Sequence, residues 1–557
     1  MLLAHGAPDA PAGPDRGITT GAPTQPRRLT WPQVHQRALR MAGALTRIAP
    51  AGLQRGDAVA VLAAEPALVA PAVQAVWLAG GSVTMLHQPT HRVNLAHWAG
   101  DTVRVINMIN AKLVLLGAPF ERLAPLLAQR GIAFTTLAEL ADPAGAPLPR
   151  VIPVADSDTA LLQLTSGSSA EPKAVRITHA NLYANISAMV QVAHVDPARD
   201  VMISWLPLFH DMGMVGFLTA PMALGLELVK VTPAQFMARP LVWAELISRY
   251  RGTITAAPNF GYAVLARRLA NADERFDLSS LRFALNGAEP IEPAAVRAFT
   301  AAGARFGLDE RCVVCAYGMA EATLGVSFAP CGVGMQVDTV DAQVLETQRR
   351  AVPAPPAQRD VRTFARLGPP LPGLQVRVVD DGGHPVAERV VGRMQVRGES
   401  VTSEYLTTEG PLPTQDAEGW LDTGDEGYLV QGEVVICGRR KDVIIMGGRN
   451  IYPMDIERAA SQVDGVRAGN VAAVRIDAGP RGESFAVAVE SSRAGDAQAE
   501  RLLRKEVISR VVDAVGVRPG AVVVLPPSAL PKTPSGKLRR AAVREQLTHL
   551  LSAAGSG

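Results

Sequence analysis

The 557-residue sequence has little cysteine, few aromatic residues and no excess of charge of one sign. Its four cysteines, Cys312, Cys315, Cys331 and Cys437, are too few for a disulfide framework in a chain of this length. The 55 basic and 52 acidic side chains nearly cancel, and no basic tract points to nucleic acid. A disulfide-stabilised secreted module and a nucleic-acid-binding protein are therefore both disfavoured.

Targeting and membrane segments are also lacking. Residues 1–17 do not show the charged and then apolar pattern of a signal peptide. The most apolar stretch, Pro66–Leu86, is interrupted by Pro71, Gly80 and Gly81, and it predicts a buried helix and strand rather than a membrane span. We therefore expect a cytoplasmic protein.

The length predicts several subdomains, because one hydrophobic core does not extend over so many residues. A Pro/Gly/Ala-rich leader, residues 1–28, is expected to be disordered, and apolar residues at helical spacing predict a helix over Trp31–Ile48. From Ala58 to about Gly332, short apolar or β-branched runs alternate with longer helical stretches. That alternation predicts α/β layers with largely parallel sheets.

After Gly373 the strand signals become shorter and glycines separate them, which predicts a β-rich subdomain. A last unit near the C terminus carries strand and helix signals of its own. We therefore predict an α/β fold. Its large N-terminal domain, residues 29–438, would include the β-rich subdomain, and a small mobile α+β domain, residues 439–557, would follow.

A loop of small hydroxyl residues, Leu164–Lys173, follows an apolar strand. Backbone N–H groups and hydroxyls in such a loop converge on an anion, and Lys173 adds positive charge, as a triphosphate requires. The spacing of a Walker loop is absent. On composition alone, a solvated Ser/Gly turn is the simpler interpretation.

A second segment, Val314–Glu321, is a strand that runs into an aromatic residue, a glycine and an acid. The ring of Tyr317 can stack on a purine, and Gly318 permits close approach. The carboxylate of Glu321 can hold Mg²⁺ beside phosphates. A strand followed by a polar turn explains this segment equally well.

A third group of segments comprises Gly419–Asp425, Cys437–Asp442 and Gly447–Asn450. The carboxylate of Asp425 can accept two hydrogen bonds from vicinal ribose hydroxyls, and Arg439 can reach the same sugar or its phosphate. Taken singly, these segments are more typical of surface turns.

The fourth segment, Pro531–Arg540, combines two prolines, a glycine and basic residues. A stiff extended loop of this kind would present Lys537 at its tip as a point charge for a phosphate or carboxylate oxygen. A basic solvated tail is the alternative.

A metal or redox site is not predicted at the cysteines or at the remaining histidines. Cys312 and Cys315 have the spacing of a zinc or redox pair, but no second pair lies at zinc-site spacing, so two small core residues are the better interpretation. His87 and His91 likewise lack partners. No protein-bound metal other than Mg²⁺ is expected.

The four segments occur together in the order and at the spacings of one family. Residues Leu29–Leu547 closely resemble the adenylate-forming enzymes, a superfamily that includes acyl-CoA synthetases, nonribosomal peptide synthetase adenylation domains and luciferases. The resemblance implies ATP and Mg²⁺ as cofactors. It also implies a phosphate loop of Thr165, Ser166, Gly167, Ser168, Ser169 and Lys173, adenine contacts from Gly287, Ala288, Glu289, Tyr317, Gly318 and Met319, ribose contacts from Asp425 and Arg439, Mg²⁺ at Glu321, a hinge at Lys441 and a catalytic lysine, Lys537.

Within this superfamily, the chain looks most like the fatty acyl-AMP ligases, on the segments Ser204–Gly213, Ala257–Phe260, Asn286–Pro290 and Gly318–Thr323. Such ligases resemble acyl-CoA synthetases but pass the acyl group to the phosphopantetheine thiol of an acyl carrier protein. The resemblance implies an acyl pocket that contains Trp205, Gly213 and Asn259, with His210 as a catalytic residue at its mouth. A buried histidine with a structural role is the alternative for His210.

Fatty acyl-AMP ligases also carry an insertion that is thought to restrain the small domain and disfavour the CoA reaction. Here the span Ala322–Pro372 is longer than CoA ligases usually need, and its Pro/Ala/Arg-rich part predicts the insertion within about residues 340–367. A surface loop without consequence is the alternative. The turn Gly81–His87 departs from the proline-rich form common in the family.

The implied reaction joins a fatty acid to ATP, releases pyrophosphate and forms acyl-AMP. Because an anionic carboxylate must attack an α-phosphorus shielded by negative oxygens, charge neutralisation by Mg²⁺, Lys173 and Lys537 is the main requirement. No phosphopantetheine attachment motif follows Lys537, so the acyl carrier protein is expected to be a separate chain. An acyl-CoA synthetase is the alternative, and a non-catalytic homologue is disfavoured because Lys537, Glu321 and Asp425 are all present.

Overall fold

The structure, a computed structural model, describes most of the chain. The described residues are 15–48, 52–89, 95–141, 146–148, 150–165, 171–358, 360–446, 449–467, 469–477, 483–532 and 538–554.

Strands and helices alternate through the first part of the chain, as the sequence predicts. The strands are β1 (Gly17–Ala22), β2 (Gln25–Thr30), β3 (Ala58–Leu62), β4 (Ser82–Met85), β5 (Ala111–Leu116), β6 (Phe134–Thr136), β7 (Thr159–Thr165), β8 (Lys173–Thr178), β9 (Val201–Ser204), β10 (Glu227–Lys230), β11 (Ile254–Ala257), β12 (Phe283–Asn286), β13 (Val313–Gly318) and β14 (Gly325–Phe328). The helices are α1 (Trp31–Leu45), α2 (Pro66–Leu78), α3 (Leu95–Met108), α4 (Ala124–Gln129), α5 (Leu137–Leu140), α6 (His179–Val192), α7 (Ala220–Leu224), α8 (Pro233–Ala238), α9 (Val242–Tyr250), α10 (Asn259–Ala270) and α11 (Pro293–Ala304), with a π-helix at Met212–Thr219.

The predicted helix after the leader begins at Trp31, where Thr30 and Gln33 form a capping box. The disordered leader predicted for residues 1–28 lies partly outside the described residues, which begin at residue 15. The expectation of disorder is wrong for residues 17–28, because they form an antiparallel hairpin of β1 and β2, and β1 pairs in parallel with β10. An edge strand needs only partial apolar character, so the polar sequence of β2 did not reveal it.

The rest of the chain supplies shorter strands and the last helices. They are β15 (Val337–Asp341), α12 (Ala342–Gln348), β16 (Val361–Ala365), β17 (Leu374–Val379), β18 (Gly392–Gly398), β19 (Glu404–Thr407), β20 (Gly410–Pro413), β21 (Leu421–Val430), β22 (Glu433–Arg439), β23 (Ile444–Met446), β24 (Arg449–Ile451), α13 (Pro453–Ser461), β25 (Val471–Asp477), β26 (Glu483–Glu490), α14 (Ala497–Val515), β27 (Ala521–Leu525) and α15 (Arg540–Ala554).

Two eight-stranded sheets dominate the described part of the large domain. The first has the order β14-β13-β12-β11-β9-β10-β1-β2, and the strands from β13 to β1 run parallel. The second has the order β20-β19-β8-β7-β4-β3-β5-β6, and its parallel part is β7-β4-β3-β5-β6. The prediction of largely parallel sheets is confirmed. In such sheets, ligands bind beyond the carboxyl ends of the strands.

The apolar stretch near residue 70 forms α2 and β4, and both are almost entirely buried. This confirms the predicted buried helix and strand. Among the described residues, no helix is long and apolar enough to cross a membrane.

The β-rich segment after Gly373 divides between two sheets. Strands β17, β18, β21 and β22 form a sheet of their own, as predicted, whereas β19 and β20 extend the second large sheet through pairing with β8. The final segment has separate cores, one of which begins at Ile444. Arg439 is still part of β22, where it lies opposite Asp425.

We predict that alanine at Gly368 destabilises the large domain through a backbone clash. Gly368 has a φ of +75°, and a Cβ there would lie 1.8 Å from the carbonyl oxygen of Phe328. Gly432 is the matched control, because its φ is +74° but no atom lies within 4 Å of an added Cβ. In thermal unfolding, Gly432→Ala should cost about 1 to 2 kcal/mol from the left-handed backbone. Gly368→Ala should cost roughly 1 to 3 kcal/mol more, and equal losses would contradict the clash.

Candidate active site

A buried carboxylate, that of Asp425, lies where the first large sheet meets the four-stranded sheet. It accepts a hydrogen bond of 2.6 Å from the hydroxyl of Tyr317 and forms an ion pair of 2.9 Å with Nε of Arg439. Arg439 also donates to the carbonyl of Thr423 over 3.0 Å. Burial raises the pKa of Asp425, and Arg439 and the Tyr317 hydroxyl act in the opposite direction. The three predicted nucleotide contacts are thus adjacent.

Lys173 and Glu321 both contact the side chain of Tyr405. The ammonium of Lys173 is 3.8 Å from the ring centroid of Tyr405, and the hydroxyl of Tyr405 donates a 2.6 Å hydrogen bond to Glu321. Burial lowers the pKa of Lys173, whereas Glu321 raises it. The pairing of β19 with β8 brings Tyr405 into this position.

The base of the predicted phosphate loop is the antiparallel pair of Thr165 and Lys173. The hydroxyl of Thr165 is buried and has no hydrogen-bond partner among the described residues. Ser166, Gly167, Ser168 and Ser169 lie outside the described residues, so their predicted role in phosphate binding stays a prediction.

The predicted adenine segment is a tight turn at the carboxyl end of β12. A Cβ at Gly287 would lie 3.0 Å from the carbonyl oxygen of Ala316, and Ala288 has a φ of +68°. The carboxylate of Glu289 accepts a 2.6 Å hydrogen bond from the backbone N–H of Phe260. This bond ties the turn to the start of α10.

In the second adenine segment, Tyr317 to Met319, the glycine position has no space for a side chain. Gly318 follows a β-bulge, and a Cβ there would lie 2.3 Å from the carbonyl oxygen of Leu324. Met319 is buried, with its sulfur 3.8 Å from the Tyr317 hydroxyl. The backbone at this turn is therefore fixed beside the Asp425 contact.

His210 lies at the carboxyl end of β9, next to the π-helix. Its Nδ1 is 2.6 Å from the carboxylate of Asp211, and the preceding residue, Phe209, is bonded through its carbonyl to the side chain of Gln163 at 3.0 Å. The ring of His87, from the second large sheet, meets that of Phe209 edge-on at 5.6 Å. Burial, together with a smaller effect of the nearby His210, lowers the pKa of His87 to about 4.

The three predicted acyl-pocket residues surround the carboxyl ends of β9 and β11. Trp205 stacks on Phe236 at 4.0 Å, and its indole N–H is buried with no partner among the described residues. A Cβ at Gly213 would lie 2.0 Å from the carbonyl oxygen of Pro207. The amide oxygen of Asn259 accepts hydrogen bonds from the side chain of Asn286 and the backbone of Glu292, both at 3.2 Å.

The small domain contacts the large domain beside the adenine turn. Arg458 forms a two-pronged ion pair with Glu292, at 2.9 and 3.0 Å. Burial lowers the pKa of Lys532, five residues before Lys537, whereas the nearby carboxylates of Glu490 and, to a smaller extent, Glu289 raise it. Lys537 itself lies outside the described residues. Lys441, the predicted hinge, lies in the turn Arg440–Asp442 that links the domains.

The residues present fit ATP and Mg²⁺. The unpartnered Thr165 hydroxyl and the Lys173 ammonium suit an anion, and the Asp425–Arg439 pair suits a ribose. No group of three or more metal-binding side chains occurs in the described parts of the chain. Glu321 lies near Lys173 and would suit Mg²⁺ in the usual protein mode, in which one or two carboxylates complement phosphate oxygens and water.

Sequence reasoning missed the contributions of Tyr405, Gln163 and Thr423, and it discounted His87. Thr423 lies within the segment Gly419–Asp425 but was given no role, whereas Tyr405, Gln163 and His87 lie outside the four segments and are brought to the site by strand pairing or by the meeting of two sheets. The prediction for Cys312 and Cys315 is confirmed: both are buried, and burial raises the pKa of each thiol to about 12.

Comparisons with known proteins agree with this geometry. The profile of the family described as AMP-binding enzyme matches residues 4–406. A putative ligase of Mycobacterium tuberculosis is 55% identical over 94% of this chain and 96% of its own length. JamA of Moorena producens, named a medium-chain-fatty-acid–[acyl-carrier-protein] ligase, is 35% identical over 70% of this chain and 68% of its own. A solved fatty acyl-adenylate ligase, from a study of the Escherichia coli and Legionella pneumophila enzymes, superposes with a TM-score of 0.88 at 31% identity, covering 99% of this chain and 98% of that one.

The chain therefore belongs to the AMP-binding enzyme family. Within that family it is a ligase of the fatty acyl-AMP type, as the resemblance of its sequence segments to these ligases predicts.

We predict that Asp425→Ala weakens ATP binding, because it removes an acceptor and leaves Arg439 without its partner. A hydrogen bond to a charged group contributes about 1.5 to 3 kcal/mol, so the loss should be roughly 10- to 150-fold. Glu433→Ala is the control, since Glu433 pairs with Arg366 and lies opposite Val430, at the other end of the β21–β22 pair from Asp425. Titration calorimetry with ATP gives both affinities, and an equal loss in the two variants would refute the assignment.

Proposed function

We propose that this protein forms an acyl-AMP from a fatty acid and ATP, with Mg²⁺, and transfers the acyl group to the phosphopantetheine thiol of a separate acyl carrier protein. The arrangement that carries the first half-reaction is the convergence of Asp425, Arg439, Tyr317, Lys173 and Glu321 at one place. A nucleotide and its phosphates require this combination of a ribose acceptor, cations and a magnesium ligand.

Each side chain has a distinct task in the proposed adenylation. Asp425 and Arg439 hold the ribose, Lys173 neutralises phosphate charge, and Glu321 would hold Mg²⁺, which supplies further neutralisation of the pyrophosphate. Lys537 bridges the attacking carboxylate and the α-phosphoryl oxygens. The loss of one such preorganised donor typically costs roughly 10² to 10³ in rate.

The proposed transfer to a carrier protein rather than CoA is supported by contacts of the segment β15-α12-β16, which overlaps most of the range predicted for the insertion. Glu346 of α12 accepts hydrogen bonds from Arg362 of β16, at 2.6 Å, and from Nε of Arg449 in the small domain, at 2.8 Å. Arg362 also pairs with Asp455 of the small domain, at 2.9 Å. We call Glu346, Arg362, Arg449 and Asp455 the interdomain charge cluster.

The interdomain charge cluster is suited to restrain the small domain without locking it. Glu346 and Arg362 are 4% and 5% exposed, so salt and water screen their interaction little. One terminal nitrogen of Arg362 is nevertheless buried without a partner among the described residues, which lowers the net stability of the cluster. Two relatives are named acyl-carrier-protein ligases, and these names also support a carrier protein as the acceptor.

A competition assay tests the proposed function. The protein is incubated with ATP, Mg²⁺ and a mixture of fatty acids. CoA and a pantetheinylated carrier protein are present together as competing acceptors, and the products are measured by mass spectrometry. We expect the products to be acyl-AMP and acylated carrier protein, with little acyl-CoA. Rapid formation of acyl-CoA would establish a CoA synthetase instead, and the absence of any adenylate would refute both enzymatic alternatives.

We predict that Glu346→Ala raises acyl-CoA formation roughly tenfold, because loss of the shared acceptor frees Arg449 and lets the small domain rotate. Acyl-AMP formation, measured by ATP–pyrophosphate exchange, should change much less. Thr347→Ala is the control, since Thr347 is exposed on the same helix and its hydroxyl donates to the carbonyl of Gln343 within that helix. Unchanged CoA product in Glu346→Ala would argue against restraint by the cluster.

A further inference from the structure

The side chain of Tyr405 contacts two groups of opposite charge in the candidate nucleotide site. Its ring centroid lies 3.8 Å from the ammonium of Lys173, and its hydroxyl donates a 2.6 Å hydrogen bond to the carboxylate of Glu321. One neutral side chain thus holds a cation through its ring and an anion through its hydroxyl.

The register of two strands sets the contact with the cation. In the antiparallel pair of β8 and β19, Tyr405 lies opposite Val175. Lys173 lies opposite Thr407, two positions along the same pair. Lys173 and Tyr405 are therefore diagonal neighbours on one face of the sheet, a separation that aromatic and long side chains can span.

Hydrogen bonds between two loops set the contact with the anion. The backbone N–H of Thr402, just before β19, donates to the carbonyl of Glu321 over 2.8 Å. The hydroxyl of Thr323 donates to the carbonyl of Ser400 over 2.7 Å. The turn that carries Glu321 is thus tied to the segment that leads into Tyr405, so the carboxylate and the hydroxyl are held together by the backbone on both sides.

Lys173 and Glu321 are close enough to interact, because the carboxylate raises the pKa of the lysine. In the described structure the two side chains nevertheless form no ion pair with each other, and each contacts Tyr405 instead. An aromatic ring attracts an ammonium without occupying its three N–H donors, so this contact leaves the donors of Lys173 to phosphate oxygens. The hydroxyl of Tyr405 likewise engages one oxygen of Glu321 and leaves the other to a metal ion.

We propose that Tyr405 is a positioning residue that keeps Lys173 and Glu321 from pairing with each other, so that the ammonium stays available to the phosphates of ATP and the carboxylate to Mg²⁺. A direct ion pair between the two half-buried groups would neutralise both and would have to break before a nucleotide could bind. This inference rests on the proposed function, because it assigns a role within the same ATP site.

Two substitutions separate the two contacts. Tyr405→Phe keeps the ring beside Lys173 and removes the hydroxyl, whereas Tyr405→Leu removes both. Titration calorimetry gives the affinity of each variant for ATP, once in EDTA and once in excess Mg²⁺. Loss of a hydrogen bond to a metal-binding carboxylate typically costs roughly 10- to 100-fold in metal affinity, so Tyr405→Phe should weaken binding in Mg²⁺ about tenfold or more and change binding in EDTA much less.

Tyr405→Leu should weaken ATP binding in EDTA as well, by roughly 2- to 30-fold, the range of a cation–π contact. The matched controls are Tyr250→Phe and Tyr250→Leu. Tyr250 also has a cation–π contact, with Arg249, but it lies beside β1, toward the opposite edge of the first large sheet from β13. Both controls should bind ATP like the wild type, and thermal unfolding shows that each variant is folded.

A double-substitution cycle tests the separation of the two charges directly. If loss of the Tyr405 side chain lets Lys173 pair with Glu321, then Glu321→Gln should tighten ATP binding in EDTA more in the Tyr405→Leu protein than in the wild type. The reason is that the substitution releases Lys173 only where the pair has formed. Independent substitutions would instead have additive effects.

Two outcomes would overturn the inference. If Tyr405→Phe and Tyr405→Leu bind ATP like the wild type in EDTA and in Mg²⁺, or if Glu321→Gln has the same effect with and without Tyr405, the side chain only packs between the strands. The proposed function stands in both cases, provided that the wild type binds ATP and forms acyl-AMP. If the wild type binds no ATP under either condition, the proposed function fails and this inference fails with it.

Discussion

The buried carboxylate of Asp425 is the contact on which the organisation of the nucleotide site depends. A carboxylate removed from water must be compensated, and here Tyr317 does so from one sheet and Arg439 from another. The compensation fixes the relative position of β13, β21 and β22, and with them the turn that leads to the small domain. Polar groups that are held in this way before a ligand arrives need not reorganise when charge develops on it.

Much of this arrangement could be predicted from sequence because the participating motifs are local. The strand–turn that contains Tyr317, and the pair of Asp425 and Arg439, require particular residue types at fixed spacings, and the structure brings them together. The strand at Ala58–Leu62 was likewise evident, since a fully buried parallel strand is a continuous apolar run. Local patterns therefore predicted the layers, and the resemblance of the motifs to the adenylate-forming enzymes predicted most of the candidate site residues.

Residues recruited through long-range pairing could not be found in this way. Tyr405 reaches Lys173 and Glu321 only because β19 pairs with β8, across more than two hundred residues of chain. His87 meets Phe209 because two different sheets end at the same place. The hairpin of β1 and β2 was mistaken for a disordered leader for a related reason, since its stability comes from pairing with β10 rather than from its own sequence.

The contacts between the domains differ in how strongly they resist a rotation of the small domain. The pair of Arg458 and Glu292 is about one-third exposed on each side, and such pairs contribute about 0 to 1 kcal/mol. The interdomain charge cluster is almost fully buried on the large-domain side, so its separation would leave Glu346 and Arg362 to be rehydrated. Of these two sets of charged contacts, the one in the segment β15-α12-β16 is therefore expected to resist the proposed rotation more than the pair at the adenine turn. A chain with the same nucleotide site but without this segment would lose these buried charge contacts and keep the Arg458–Glu292 pair and the Tyr452–Glu426 hydrogen bond, so its small domain would meet less resistance to the proposed rotation.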